Sequence, residues 1–372
     1  MPVSTIGTNG LTSGLGVTAS TLSVNGNNIS AVNSLGFRNR IINGNMVIDQ
    51  RNNGAQITIP NASSAYPADR FQVFKDTSSG VFYGQQSTTA PTGFSNALLL
   101  TANTAWTPAS GDLAVTQQKI EAFNTSDLVF GTASAATVTL SFWVRSSITG
   151  TYAVALINSA NNRSYVATYT INAANTFEFK TITIAGDTAG TWVSGTNGIG
   201  LRVNFDLGSG STYNTTAGAW ATGLFTRTSG SVNWTQTSGA TFYITGVQLE
   251  AGSVASPFER RDYGRELIMC QRYFERFGTG GVGGSRTSTG FSMNFKFQVA
   301  KRTSPTVTHL ANYSLLIPGV AAFTCTGISA QWSVPTGVQL TVTSSSGASS
   351  AGLAVLYGDS EASENLAASA EL

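Results

Sequence analysis

The sequence predicts an all-β protein: a jelly-roll β-sandwich followed by a short helical connector and a smaller C-terminal β domain. Three observations lead to this prediction. Charged residues make up 10% of the chain, against about 25% in an ordinary soluble protein, whereas 41% of the residues are hydrophobic and 40 are glycine. Apolar and polar residues alternate in one short segment after another, and Gly, Asn or Ser bounds each segment. One charged stretch without this alternation interrupts the pattern at 256–277.

The alternation is clearest between residues 131 and 250, within a sandwich domain predicted to span 37–255. In ATVTLSFWVRSS, one face of the strand carries the apolar residues Val138, Leu140, Phe142 and Val144. The other face carries Thr139, Ser141, Trp143 and Arg145. This pattern indicates a sheet with one packed face and one solvated face. Short strands with turn residues at this spacing are typical of a β-sandwich or jelly roll. Near the start of the domain, Asn43-Gly44 between apolar runs predicts a hairpin.

The two ends of the chain differ from the sandwich domain in composition. Residues 1–36 scatter single apolar residues among Gly, Ser, Thr and Asn, so they form either a flexible tail or an arm that orders on another chain. The segment GTGGVGGSRTSTG predicts a glycine-rich linker over 278–290. Alternating segments such as FSMNFKFQVA then predict a smaller β domain over 278–372, closing in a polar tail with little structure or a short docking strand.

The connector at 256–277 contains nine charged residues among the eighteen from Glu259 to Arg276. Ser256 and Glu259 have the spacing of a capping box, but Gly264 favours a helix that starts at about Asp262. An apolar seam then follows at helical spacing, formed by Tyr263, Leu267, Cys270, Phe274 and Phe277. The residues off the seam, on the polar side of the helix, are Arg265, Glu266, Arg272 and Glu275. The seam packs either on its own jelly roll or against other chains, which would make these residues oligomerisation contacts.

Composition excludes several classes of function. A net charge of +2, evenly mixed, does not suit a nucleic-acid-binding surface. His309 is the single histidine, which excludes a multi-histidine metal site, and no loop has the ligand series diagnostic of calcium. We expect no cofactor and no metal. The N-terminus lacks the pattern of a secretory signal, and no stretch approaches the ~18 apolar residues of a membrane span, so we expect no membrane insertion.

Catalytic residues are not evident. A single histidine removes most nucleophile–histidine arrangements, and His309 lies in a strand-like run where a structural role is expected. Paired carboxylates would suffice for glycoside hydrolysis, but no pair stands out among Asp49, Asp69, Asp112, Asp187, Asp206 and Glu250. We therefore expect that the protein is not an enzyme.

Aromatic residues in polar loops are the candidate binding residues: Trp106, Trp192, Tyr213, Trp220 and Trp234. Glycan binding uses this combination, because apolar sugar faces stack on the rings while Asn, Thr and Asp bind hydroxyl groups. The alternative is that these side chains plug the open ends of the sandwich, since buried tryptophan is common.

Several segments resemble the fibre proteins of tailed bacteriophages and their prophage relatives. They are NRIINGNMVIDQRNNG, YPADRFQVF, TVTLSFWVRSSITGTYAVAL, SYVATYTINAANTFEFKTITIAGDTAGTW, GLRVNFDLGSGSTYNTTAGAW and FYITGVQLEAGSVASPFERRDYGRELIMCQRYF. The last is the most specific, because it matches a junction of the form LE-G-VA-PFE-R-Y--EL--CQRY; Asp262 stands where that family often has Pro. AKRTSPTVT and the closing AEL also look like that family's ends, and the resemblance covers most of the chain from about Phe37.

In that family, a jelly roll similar to carbohydrate-binding modules precedes the junction. The resemblance implies a virion structural protein: a homotrimeric tail fibre that attaches to the host through surface polysaccharide. Residues 1–36 would then anchor it to other virion proteins. Synthesis in the host cytoplasm and release by lysis fit the lack of a secretory signal. The alternatives are a head fibre or capsid-decorating protein that stabilises the particle, and a tailspike that depolymerises polysaccharide.

Overall fold

A computed structural model describes residues 22–24, 27–29, 38–76, 79–277, 282–285, 290–309, 313–317, 321–344, 353–358 and 366–372. The chain divides into two compact units, Met1–Arg38 and Asn39–Leu372. In the first unit, β1 (Leu22–Val24) and β2 (Asn27–Ile29) form an antiparallel hairpin. The rest of the predicted arm at 1–36 lies outside the described residues.

The second unit begins with a sandwich of two antiparallel sheets. Its strands are β3 (Ile57–Thr58), β4 (Ser63–Ala68), β5 (Phe71–Lys75), β6 (Val81–Ser87), β7 (Ala97–Thr104), β8 (Ala114–Glu121), β9 (Val138–Ser146), β10 (Gly150–Ile157), β11 (Arg163–Ile171), β12 (Glu178–Ile184), β13 (Ile199–Asp206), β14 (Trp220–Thr222) and β15 (Ala240–Ala251). One sheet has the order β14-β11-β10-β13-β8-β5-β4 and the other β12-β9-β15-β7-β6-β3. Short 3-10 helices lie at Ala122–Asn124, Ser126–Leu128, Ser211–Tyr213 and Trp234–Gln236. The predicted all-β sandwich is confirmed.

The main core lies between these two sheets. The alternation in β9 is confirmed, since four of its side chains are fully buried: Val138, Leu140, Phe142 and Val144. Phe142 packs edge-on against Tyr169 and Phe205 of the facing sheet, with ring centroids 5.0 Å apart in both pairs. Trp143 and Arg145 point to the other face and are half-buried. The predicted solvated face is open only around Trp143 and Arg145, because Thr139 and Ser141 on that face are 1% and 3% exposed.

A helix and a second set of strands follow the sandwich. They are α1 (Tyr263–Gln271), β16 (Phe274–Phe277), β17 (Val282–Ser285), β18 (Gly290–Lys296), β19 (Thr306–His309), β20 (Tyr313–Ile317), β21 (Ala321–Val334), β22 (Gly337–Ser344), β23 (Leu353–Gly358) and β24 (Leu366–Ser369). The order β17-β18-β22-β21-β20-β23 closes a barrel, and β16-β24-β19 form a separate sheet. Within the described residues, no helix is long and apolar enough to cross a membrane.

The predicted linker at 278–290 is corrected by this topology, because Val282–Ser285 pair with both β18 and β23. Residues 278–281 and 286–289 lie outside the described residues. The docking-strand interpretation of the tail is confirmed by β24, which pairs with β16 and β19.

The predicted hairpin at Asn43-Gly44 is wrong, although the chain does turn there. Asn43 has a positive φ of 58°. Its side-chain amide hydrogen-bonds to the main-chain oxygen and N–H of Ile48, and the residues on either side of the turn do not pair as strands. The Gly44 oxygen accepts a bond from the N–H of Val247 at 2.9 Å. A Cβ at Gly44 would lie 2.2 Å from the Val247 oxygen, so this position requires glycine.

The predicted helix start at about Asp262 is confirmed, but the helical seam is wrong beyond Gln271. Asp262 caps α1 by accepting a bond from the Arg265 N–H at 2.9 Å. Phe274 and Phe277 lie in β16, because pairing with β24 extends the backbone there. The other three seam residues differ in environment. Leu267 and Cys270 pack in a cluster with Ile42 and Ile48, whereas Tyr263 is 63% exposed.

The charged residues off this seam do not form one solvated face. Arg265 is exposed, but Glu266 and Glu275 are 5% and 0% exposed. Arg272 reaches back to β8 and donates two bonds to the carboxylate of Glu121, at 2.9 and 2.6 Å. Glu266 and Arg272 therefore bind the sandwich, whereas Glu275 pairs with Lys301 after β18. The expectation of one polar helix side is corrected.

Candidate functional site

Trp192 and Trp220 meet at the end of the sandwich where β13 begins. Trp192 lies in the loop between β12 and β13, and Trp220 is the first residue of β14. Their ring centroids are 5.4 Å apart and the rings are nearly perpendicular, at 86°. Both side chains are half-buried, so each ring packs on the protein and also keeps some surface in solvent.

Two further aromatic residues, which the sequence pattern does not single out, complete the group. Phe130 contacts Trp192 at 5.0 Å and Trp220 at 5.8 Å between ring centroids. Tyr165 of β11 contacts Trp220 at 5.4 Å. We call these four residues the aromatic end. They lie against the main core, which holds them in place.

An ion pair between half-buried Arg163 and buried Asp187 orients Trp192. Arg163, at the start of β11, donates to both oxygens of Asp187, at 2.9 and 2.5 Å. The Trp192 indole N–H donates to Asp187 Oδ2 at 3.1 Å and to the Ala189 oxygen at 3.3 Å. The indole of Trp220 donates to the oxygen of Ala185 at 2.8 Å. Since both N–H groups are occupied, what the two tryptophans offer a ligand is ring surface.

The charge on Asp187 persists to low pH. Burial acts to raise its pKa, but hydrogen bonds from Arg163, the Ala189 N–H and the Trp192 indole outweigh burial and hold the pKa below its usual range. The hydrogen bond to Asp187 correspondingly raises the pKa of Arg163. The support of Trp192 is therefore insensitive to mild acid.

Glycine allows the loops to approach the aromatic end closely. Gly131 has φ of 85°, and a Cβ there would lie 2.8 Å from the Gly190 oxygen and 3.1 Å from Trp192 Cδ1. A side chain at this position would strain the backbone and push against the indole. The Gly131 N–H also donates to the main-chain oxygen of Asp187 at 2.7 Å.

A small recess of about 30 Å³, open to solvent, lies beside the aromatic end. Its walls combine apolar surface with hydroxyl groups; the side chains are Thr125, Ser126, Leu128, Val129, Phe130, Trp192, Val193, Ser194 and Leu201. A recess this small does not enclose a ligand, so a sugar would bind on the exposed ring surface beside it. A sugar ring can stack on such surface while hydroxyl groups bind its rim.

Three of the sequence candidates do not join this site. Trp106 and Trp234 are 7% and 0% exposed and lie at the opposite end of β13, where both rings contact Phe82. The prediction that Trp106 and Trp234 stack on a sugar is wrong, because both side chains are buried and fill that end of the sandwich core. Tyr213 is half-buried, donates its hydroxyl to the Gly111 oxygen at 3.2 Å, and makes no ring contact with Trp192 or Trp220 in the described structure.

The candidate carboxylates have structural partners. Asp69 pairs with Arg51 at 3.0 Å, and Asp206 accepts bonds from the N–H groups of Gly208 and Ser209. In the described part of the chain, no three His, Cys, Asp or Glu side chains are grouped to hold a metal ion. His309 lies in β19, and its side chain is outside the described residues.

A scan against protein-family models and a search of curated proteins both find no match. Solved structures give distant likenesses. The enzymatically active domain of bacteriophage CBA120 tailspike protein 4 aligns at 13% identity and TM-score 0.28, over 49% of this chain and 19% of that one. A putative sugar binding protein from Bacteroides thetaiotaomicron aligns at 14% and 0.31, over 58% and 100%.

A third likeness is the family 11 carbohydrate-binding module from Clostridium thermocellum, in complex with a mixed-linked tetrasaccharide. It aligns at 9% identity and TM-score 0.25, over 54% of this chain and 97% of that one. The chain spans about a fifth of the tailspike domain and nearly all of the other two. Likenesses this distant assign no function, so the interpretation depends on the residues of this chain.

Proposed function

We propose that this protein is a non-enzymatic glycan-binding protein and that the aromatic end is its binding site. The observation that carries the proposal is the half-buried pair Trp192–Trp220 beside a recess with hydroxyl groups. The Arg163–Asp187 pair holds Trp192 before any ligand arrives, which lowers the entropy lost on binding. The carboxylates described above are bound to structural partners, which supports a binding role over a hydrolytic one.

The finer proposal is that the protein is a homotrimeric tail fibre of a bacteriophage virion that attaches to host polysaccharide. Its support is the sequence resemblance at the junction 249–273. In the structure this segment joins the sandwich to α1 and β16, so it forms the connection between two β regions. Residues 1–36 would bind other virion proteins. Imaging of intact particles with this protein labelled tests the location: label on the capsid would contradict the tail-fibre proposal.

A glycan array tests the binding function. The wild type is compared with Trp192→Ala and with Trp332→Ala, a matched control because Trp332 is 73% exposed on β21, outside the aromatic end. We expect the wild type and Trp332→Ala to bind the same glycans and Trp192→Ala to lose them. Equal binding by all three proteins would contradict the proposed site, and binding of no glycan by the wild type would contradict the function.

A further inference from the structure

A second group of aromatic side chains lies on the outer face of the six-stranded sheet. Phe179 of β12 packs on Trp143 of β9, with ring centroids 5.4 Å apart. Phe177 and Tyr243 of β15 form another pair at 5.9 Å. Phe179 is 48% exposed, and the other three are half-buried. We call this group, together with Arg145, the Arg145 patch.

Arg145 lies beside both rings of the second pair. Its guanidinium carbon is 4.9 Å from the ring centroid of Tyr243 and 5.8 Å from that of Phe177. It takes part in no ion pair among the described residues, and its buried Nε has no hydrogen-bond partner there. The guanidinium therefore packs against two rings and has no carboxylate partner among the residues that the structure describes.

Nearby carboxylates do not neutralise this charge. Glu178 lies on the adjacent strand, opposite Val144, but its carboxylate accepts bonds from Lys180, Asn172 and the Ala173 N–H. Burial acts to raise the pKa of Glu178, yet these bonds lower it to about 2, so the carboxylate stays committed to them. Arg145 therefore remains available to an anion from outside the chain.

We propose that the Arg145 patch is a second glycan-binding site, selective for sugars that carry a carboxylate, of the uronic or sialic acid type. A guanidinium donates two parallel hydrogen bonds to a carboxylate, which a neutral sugar cannot replace. The neighbouring rings of Trp143 and Phe179 supply stacking surface for the apolar face of the same or the next sugar. Residues 143 and 145 lie two apart on one strand, about 7 Å, which suits adjacent groups of one saccharide.

This proposal is tested by measuring how tightly the protein binds acidic polymers and the same polymers after reduction of their carboxylates. The probes are polygalacturonate, alginate, hyaluronan and polysialic acid, each compared with the same polymer after reduction of its carboxylates to alcohols. We expect the wild type to bind at least one acidic form about tenfold or more tightly than its reduced form. Arg145→Gln should abolish that difference, and Arg145→Lys should restore only part of it.

Two control variants distinguish the Arg145 patch from general charge attraction and from the aromatic end. Arg265→Gln removes one exposed positive charge on α1 and should leave the preference for acidic forms intact. Trp332→Ala, which lies outside both groups, should also leave it intact. Because the readout is the difference between an acidic polymer and its reduced form, failure of the Arg145 patch is distinguishable from failure of the aromatic end. The proposal is overturned if no acidic form is preferred, if Arg145→Gln keeps the preference, or if Arg265→Gln loses it equally. A lower solution mass of Arg145→Gln would instead identify an interface between copies and also overturn it.

Discussion

Glu275 and Lys301 form an ion pair in which neither side chain is exposed to solvent. Lys301 Nζ also donates to the main-chain oxygens of Gln271 and Val299, at 2.7 and 2.8 Å. Glu275 also accepts a bond from the Gln298 N–H at 2.8 Å. The pair therefore links the end of α1 and β16 to the segment that follows β18. Its charges are fully compensated only while both partners are present.

Removal of either partner should destabilise the protein strongly. Lys301→Met or Glu275→Gln leaves one buried group without its partner, and we expect the free energy of unfolding to fall by about 3–5 kcal/mol. The double variant should recover part of this loss. Chemical denaturation measures the effect, with Arg265→Gln as an exposed control that should change stability by less than about 0.5 kcal/mol. Single variants that match the control would contradict the account of the junction.

Glu371 should be a second stabilising contact between the end of the chain and the sandwich. It pairs with Arg51 at 2.9 Å and with Arg70, whose side chain is 2% exposed and stacks 3.5 Å over the Tyr273 ring. Glu371→Gln removes the charge that compensates Arg70, so we expect a loss of about 3 kcal/mol by chemical denaturation. Arg51 loses less because Asp69 remains beside it. An unchanged midpoint would show that the contact contributes nothing.

The stability should depend on pH through Asp69. Burial raises the pKa of Asp69 to about 6, against an ordinary value of 3.8, although Arg51 and Gln50 act to lower it. The folded state therefore binds this proton more tightly than the unfolded state. Its contribution to stability is fully present below pH 3.8 and is lost as the pH rises through about 6.

Comparison with Asp69→Asn isolates this effect from other titrating groups. Between pH 4 and 7, the wild type should lose about 2 kcal/mol relative to the variant, since one pKa unit corresponds to about 1.4 kcal/mol. The measurement is the free energy of unfolding from denaturant titrations at each pH. A constant difference between the two proteins across this range would contradict the raised pKa.

The tryptophans at the two ends of the sandwich should respond differently to truncation. Trp234 is fully buried, so Trp234→Ala should cost about 3–5 kcal/mol of stability. Trp192→Ala should cost less, because that ring is half-buried, and should affect binding instead. Chemical denaturation of both variants checks this order. A larger stability loss for Trp192→Ala would mean that its role is mainly structural.

Sequence alone could predict the sheets better than the site. Period-two alternation assigned Trp143 and Arg145 to the outer face, because local backbone geometry fixes that choice. It could not separate Trp192 from Trp234, because both follow similar Gly, Ser and Thr residues. The environment of each tryptophan depends on residues distant in sequence: Phe130, which contacts Trp192, and Tyr165 at one end, and Phe82, which contacts Trp234, at the other.

The junction shows the same limit. Tyr263–Gln271 became a helix as its local pattern predicts, with Asp262 as its cap. Phe274 and Phe277 continue the helical spacing in sequence, yet they form a strand because Leu366–Ser369 pair with them. A strand about ninety residues away decides where the helix ends, and no local pattern carries that information.

Titration calorimetry with the best-binding glycan of the array tests the central claim most directly. Loss of one stacking ring removes about 1–2 kcal/mol of binding free energy, so Trp192→Ala and Trp220→Ala should each bind about tenfold more weakly than the wild type. Trp332→Ala should bind with unchanged affinity. Wild-type affinity in both aromatic-end variants would contradict the claim that the aromatic end binds glycans.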